Sequence, residues 1–427
     1  MRVIYQAVLW VMLLPFLWIT GRKELKHHGG ISRLMEFVGY YNAPSESGEL
    51  LWIHAASVGE VVAATPFIDS LRDLSPSVRI LITTTTPTGA DRVREIYGEE
   101  VDHAYLPYDL PRAVSRFFSH FHPVAGIIME TEIWPNLFHH CGKHNIPLVM
   151  ANVRLSQRSL EGYQRWIPKL AKKALQNVTW AAAQGGGDAK RLITLGAEPD
   201  RVEAIGSIKF DLTLPEDIEH QGLELRDQLG NSRPIWIAAS TREGEESYIL
   251  EAHQSILQQI PDTLLILVPR HPERFNRVAG EAKAAGFQVV RRSRGDDCVP
   301  AAQIYLGDTM GEMLLLYAAA DVAYVGGSLV PTGSHNMLEP AALGKPVLFG
   351  PHRFNFSEIS QLLIDQGAAE EVNSAVELAE SVIMLLQTDE RRRQMGWQGL
   401  RVVEQNRGAL DHLLAGIQMC IPKSPSS

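Results

Sequence analysis

Leu51-Trp-Ile-His-Ala-Ala-Ser-Val-Gly-Glu60 is the stretch that decides the fold. Leu51 to Ala55 is an apolar run of strand length, and the residues behind it lead into a helix starting near Val61. Gly59 permits a tight turn, so Glu60 stands at a helix N-terminus. A strand that hands over to a helix within a few residues is the unit from which a helix-covered parallel sheet is built.

The alternation continues outward from this stretch. Val78 to Thr84, Val124 to Met129, Pro147 to Ala151 and Val178 to Ala182 extend a first series. Pro234 to Ala239, Thr263 to Val268, Gln303 to Leu306, Val322 to Gly326 and Pro346 to Phe349 form a second. Leu212 to Arg233 between them is polar, acidic and interrupted by Pro215, Gly222 and Gly230, as expected of a linker. The expected architecture is α/β: two Rossmann-like domains facing a cleft, over residues 23–211 and 234–421, with a linker at 212–233 and a tail at 422–427. Ligands of such sheets lie outside the carboxyl ends of the strands.

Composition agrees with two packed domains and excludes some partners. The 427 residues are 45% hydrophobic and 21% charged, enough for two cores. A net charge of -9 speaks against nucleic acid as a partner, because phosphate-backbone binding needs an excess of Lys and Arg. Cys141, Cys298 and Cys420 are far apart, so neither a disulfide framework nor a thiolate zinc site is indicated. His139, His140, Cys141 and His144 look like metal ligands but have no acidic partner nearby, and an exposed helix accounts for them.

Residues 1–22 differ from the rest. Val3 to Thr20 is apolar apart from Tyr5, Gln6 and Thr20, and Arg22, Lys23 and Lys26 follow. At ~1.5 Å per residue this helix nearly reaches across the roughly 30 Å hydrocarbon core. It reads as an uncleaved membrane anchor with the remaining chain on the cytoplasmic side, either single-pass or lying in the interface.

The residues that can carry chemistry stand at expected strand ends. Glu60 is either a cleft carboxylate or a first-turn acid favoured by the helix dipole. Glu130-Thr-Glu132 follows the strand ending near Met129 and is either a second cleft acid group or a capping cluster. Glycosyl transfer needs a carboxylate to take the acceptor hydroxyl proton, which suits paired acids. Arg154, Arg158 and Lys209 offer positive potential, although Arg158 also reads as solvated surface. In the second half, Pro269-Arg270-His271 offers a phosphate-binding fork and Met310-Gly311-Glu312 opens a helix. Gly326 to Pro340 is a glycine-rich loop entering another helix through Asn336-Met337-Leu338-Glu339, with Glu339 placed to accept ribose hydroxyls. Gly185 to Gly187 reads as a loop before a helix at Asp188.

The motif set resembles the 3-deoxy-D-manno-octulosonic acid (Kdo) transferases of lipopolysaccharide biosynthesis over nearly the whole chain. The resemblance is carried by SVGE at 57–60, METEIWPN at 129–136, NVRLSQRS at 152–159, GSIKFD at 206–211, VPRHPERF at 268–275, GDTMGEM at 307–313 and GPHRFNF at 350–356. It implies a GT-B fold at the inner membrane, CMP-Kdo as donor and a lipid A precursor as acceptor. It also implies transfer with inversion and no cofactor or metal requirement. Carried across by motif, Glu60 would be the proton acceptor, with Glu130 and Lys209 stabilising the transition state. Pro269, Arg270, Met310 to Glu312 and Asn336 to Glu339 would hold CMP. Ser334 and Arg242 depart from the family pattern, which has Gly and His there. The alternatives are another GT-B nucleotide-sugar enzyme, such as a UDP-sugar transferase or epimerase, and a catalytically silent membrane-bound scaffold.

Overall fold

The computed structural model describes residues 2–24, 31–42, 48–295 and 298–421, so the expected tail at 422–427 lies outside it. It has two compact units, one built from the chain up to Lys209 and from Arg407 onward, the other from Phe210–Asn406.

The first unit contains β1 (Leu50–His54), β2 (Arg79–Thr84), β3 (Asp102–Tyr105), β4 (Ala125–Met129), β5 (Leu148–Val153), β6 (Trp180–Ala183) and β7 (Val202–Ala204). They form one seven-stranded parallel sheet in the order β3-β2-β1-β4-β5-β6-β7. The second unit contains β8 (Ile235–Thr241), β9 (Leu264–Pro269), β10 (Val289–Arg291), β11 (Ile304–Leu306), β12 (Val322–Val325), β13 (Val347–Phe349) and β14 (Ala369–Glu371). Its seven strands, also parallel, run in the order β10-β11-β9-β8-β12-β13-β14.

Central strands such as β1, β4, β9 and β12 are buried along their whole length, as expected of parallel strands covered on both faces. The strands absent from the sequence reading are β3, β7, β10 and β14, the four edges. They are three or four residues long and partly exposed, and they carry charged residues where the central strands carry Ile, Leu and Val. In each sheet the strand order reverses beside the first strand, between β1 and β4 and between β8 and β12. Ligands of doubly wound sheets bind at such points.

The observed unit boundaries differ from the expected domains. The supposed linker holds a helix, Ile218–Leu229, whose Leu225 and Leu229 pack with Ile235 and Tyr317 in the second unit. Gly222 lets that helix approach closely, since a Cβ there would lie 2.5 Å from the Ala318 methyl. The last helix, Ala409–Cys420, returns to the first unit, where Leu413 and Ile417 join the cluster of Ile53 and Val61. An amphipathic pattern marks a helix to be buried without naming the sheet it covers.

The helix Arg2–Glu24 (α1) is docked on the first unit along its length. Arg2, Tyr5, Gln6, Leu9, Leu13, Phe16, Leu17 and Thr20 form a buried or half-buried stripe at helical spacing. Tyr5 Oη donates to Asp109 Oδ2 at 2.9 Å, Arg2 Nε donates to Asn136 Oδ1 at 2.9 Å, and Leu13 packs with Leu110 and Ala113. Phe16 meets Phe37 edge-on at 5.2 Å and Tyr108 at 4.8 Å. The opposite face exposes Val3, Ile4, Val8, Trp10, Val11, Leu14 and Trp18.

Candidate active site

In the first unit, the helix Val58–Leu74 (α2) begins three residues earlier than expected, capped by Ser57. Gly59 is therefore inside its first turn and adopts no positive φ. Glu60 turns back over the strand end. Its Oε2 accepts from Ala56 N at 2.8 Å and its Oε1 from Ser57 Oγ at 3.0 Å, close to a capping box. Burial, followed by the charges of Glu132 and Glu130 and opposed by the Ala56 N–H and His54, pushes the Glu60 carboxyl up to about 7. A capping role and a near-neutral proton affinity therefore reside in one side chain.

Glu130 follows β4, the neighbour of β1, so both acids sit at the strand-order reversal of their sheet. Its φ of 56° is unusual for a glutamate, and its N–H donates to Ala151 O at 2.8 Å. On β5 the register shifts around Asn152, which has φ 55°. The Asn152 side chain is buried, and neither its Oδ1 nor its Nδ2 has a hydrogen-bond partner among the described residues. Two strained backbone positions on adjacent strand ends are what functional sites tend to retain.

His54 at the end of β1 is fully buried, and the sequence reading assigned it no role. Its Nδ1 lies 2.9 Å from Thr83 Oγ1, which accepts from Trp52 Nε1 at 2.8 Å, and 3.0 Å from the Thr83 carbonyl oxygen, which can only accept. Its Nε2 lies 3.0 Å from Glu132 Oε2, which accepts from Trp134 Nε1 at 2.9 Å. Burial alone would raise Glu132, but the bonds from His54 and Trp134 hold it below the ordinary carboxylate range.

Lys209 is the last residue of this unit, in the turn Ile208–Phe210. The neighbouring Ile208 packs in the same apolar cluster as Ala55, Val61 and Met129, the residues flanking Glu60 and Glu130. Arg158 is exposed on the helix Gln157–Trp166. Gly186 and Gly187 form the first turn of the helix Gly186–Leu195, where a loop was expected. The His140 ring stacks on Phe118 at 4.5 Å and on His144 at 4.3 Å.

In the second unit, β8 ends at Ser240 and Thr241, and Ser240 has φ 56°. Glu245, two residues past Glu243 and wholly buried, organises the glycine-rich loop after β12. Its Oε2 accepts from Gly327 N at 2.6 Å and Arg242 N at 2.8 Å. Its Oε1 accepts from Ser328 N and Leu329 N at 3.0 Å and from Tyr324 Oη at 2.8 Å. Nothing in the sequence separates this glutamate from its acidic neighbours, because three of its partners are main-chain amides more than 80 residues away.

Around that loop, Arg242 Nη1 lies 2.5 Å from His271 Nε2 and Arg242 Nε donates to His335 Nε2 at 3.2 Å. Burial, with Arg242 and Arg270 beside it, pushes the His335 ring down to about 3, which keeps it neutral as an acceptor. Arg270 follows Pro269 at the end of β9 and its side chain is exposed. Cationic and donor groups thus converge at the strand-order reversal between β8 and β12.

The remaining expected donor residues are placed unequally. Met310 is 63% exposed and Gly311 has φ 83°. Glu312 precedes the short helix Met313–Ala319 and is held by Arg292 through Nη2 at 2.8 Å and Nε at 3.1 Å. Its charge is thereby matched. Met337 and Leu338 bury their side chains in an apolar cluster, so only their main chain can meet a ligand. Asn336 Oδ1 already accepts from Leu338 N, and Asn336 Nδ2 donates to Glu339 Oε1 at 3.1 Å. Burial raises the Glu339 carboxyl above its ordinary value. Ser334, where Gly was expected, has φ 68°.

Comparison with known proteins agrees with this arrangement. Residues 32–212 match the family described as 3-Deoxy-D-manno-octulosonic-acid transferase (kdotransferase). The chain is 42% identical to the 3-deoxy-D-manno-octulosonic acid transferase of Haemophilus influenzae, covering 97% of each. A glycosyltransferase from Rickettsia africae superposes with a TM-score of 0.55 at 15% identity, over 89% of this chain and 100% of that one. A putative UDP-N-acetylglucosamine 2-epimerase from Listeria monocytogenes gives 0.56 at 16% identity, over 87% and 96%. At such identities the two structures speak for the GT-B architecture alone, which transferases and epimerases share. The long, near-complete match to the Haemophilus influenzae enzyme goes further: this chain belongs to the Kdo transferase family and is a glycosyltransferase.

Proposed function

We propose that the chain transfers Kdo from CMP-Kdo to a lipid A precursor, lipid IVA, with inversion. Glu60 takes the proton of the acceptor hydroxyl as its oxygen bonds to the anomeric carbon. The bond from that carbon to the phosphate oxygen breaks, its electron pair leaves with CMP, and positive charge builds on the sugar ring. Glu130 and Lys209 stabilise that state. Arg270, His271 and the amides of the glycine-rich loop hold the phosphate, Pro269 and the Met310-Gly311-Glu312 turn border the nucleotide, and Asn336 to Glu339 face the ribose.

The observation that carries this reading is the Glu60 carboxyl. It lies at a strand-order reversal and titrates near 7, where a general base works best. Membrane attachment enters the same reading. An α1 stripe docked from Arg2 to Thr20 favours a helix lying in the membrane surface over one that crosses it, with the exposed apolar face in the lipid. The catalytic units then work on the cytoplasmic side of the inner membrane. Incubating the purified chain with CMP-Kdo and lipid IVA in detergent, with mass spectrometry of the product, tests the activity. Mass added in Kdo units supports it, whereas preference for UDP over CMP in a binding titration counts against the donor.

A further inference from the structure

Behind α1 the first unit contains a cavity of about 360 Å³ that no step above uses. Its apolar wall is formed by Phe16 and Ile19 of α1 with Phe37, Leu106 and Tyr108. Thr20, Thr85, Thr86, Glu132 and Trp134 also line it, so polar groups share the cavity with the apolar ones. Thr85 joins the cavity to the acid site: its N–H donates to Ala56 O at 3.0 Å, and the Ala56 N–H in turn donates to Glu60. The volume falls in the range of small-molecule pockets, roughly 300–1,000 Å³.

We propose that this cavity receives one fatty acyl chain of the acceptor, which places the hydroxyl-bearing sugar at Glu60. The inference rests on the lipid-acceptor reading above and adds a site to it. Apolar side chains and a carboxylate lining one cavity fit an amphiphile whose head carries hydroxyl groups. Ile19 both lines the cavity and is half-exposed next to Trp18, so the cavity reaches the edge of the α1 face suited to lipid. A chain leaving the bilayer beside α1 therefore passes from one apolar environment into another, and its hydration does not oppose entry.

The test uses the full chain in detergent with a long-chain N-acylglucosamine that carries a diazirine near the end of its acyl chain. Irradiation should attach the probe at Phe37, Leu106 or Tyr108. Ile19→Trp fills the cavity from a half-exposed rim position without touching the core, and should weaken that labelling about tenfold. Leu106→Phe, which fills it from the wall, should act in the same way. In transfer assays Ile19→Trp should raise KM about tenfold for the acylated acceptor and leave KM for its deacylated counterpart unchanged. Labelling confined to Trp10, Val11 or Leu14 and indifferent to both substitutions would overturn the assignment, as would equal KM changes for the two acceptors. Labelling requires no transfer, so cavity labelling in a chain that turns over no CMP-Kdo would fault the transfer reading and leave the acyl site standing.

Discussion

His54 Nε2 lies 3.0 Å from Glu132 Oε2, inside the end of β1 and away from solvent on the histidine side. The bonds from His54 and Trp134 hold Glu132 below the ordinary carboxylate range, and after burial its negative charge is a cause that raises the Glu60 carboxyl to about 7. Besides burial, the groups that act on Glu60 are the Ala56 N–H, Glu132, Glu130 and His54. A base works only when deprotonated, so activity should climb as pH rises through about 7.

Glu132→Gln keeps acceptors for His54 and Trp134 but removes the charge. The acid limb of the pH profile of kcat/KM should then move to lower pH, toward the ordinary glutamate value. An acid limb that stays in place would separate Glu132 from the proton chemistry of Glu60.

The Glu245 carboxylate anchors three main-chain amides of the glycine-rich loop in a site with no solvent. Glu245→Ala leaves buried donors unsatisfied, each worth about 1–3 kcal/mol. Denaturant unfolding should show the second unit destabilised by about 3 kcal/mol or more, with CMP binding weakened as the loop loosens. A loss within about 0.5 kcal/mol, the scale of a neutral surface change, would contradict this bonding pattern.

Arg270→Ala should raise the dissociation constant for CMP about tenfold to a hundredfold, the worth of a charge-assisted hydrogen bond to phosphate. KM for the acceptor should not change, because Arg270 lies in the second unit, to which the reading assigns the donor. Titration calorimetry with CMP and steady-state kinetics separate the two effects.

The attitude of α1 can be measured through Trp10 and Trp18, both exposed. About 12 Å of helix axis separates them at ~1.5 Å per residue. Quenching by lipids brominated at different depths should place the two rings at similar depth if the helix lies in the interface. Depths differing by most of that length would mean that the helix crosses the bilayer. Each ring is read in a variant that keeps it alone, since the chain has eight tryptophans.

What the sequence conveyed follows from where each signal originates. Central strands announce themselves, because burial on both faces demands unbroken runs such as Leu-Ile-Leu in β9. The edges β3, β7, β10 and β14 carry Asp102, Glu203, Arg291 and Glu371 and look like loop. Glu60 and Glu130 were legible because each follows a strong strand. His54 was not, since a histidine closing an apolar run gives no sign that Thr83 and Glu132 hold its two nitrogens. Glu245 and Arg242 gain their roles from long-range loop contacts. The linker at 212–233 looked polar because only one face of its helix is buried, and the return of residues 409–420 to the first unit leaves no mark in local pattern.

The most direct measurement is the transfer rate of Glu60→Gln with CMP-Kdo and lipid IVA, taken together with its affinity for CMP and its unfolding midpoint. The account predicts a rate lower by about 100- to 10,000-fold with CMP affinity unchanged. The amide still accepts from Ala56 N, so the cap and the fold should persist. A folded variant that transfers Kdo at close to the native rate would show that some other group removes the proton.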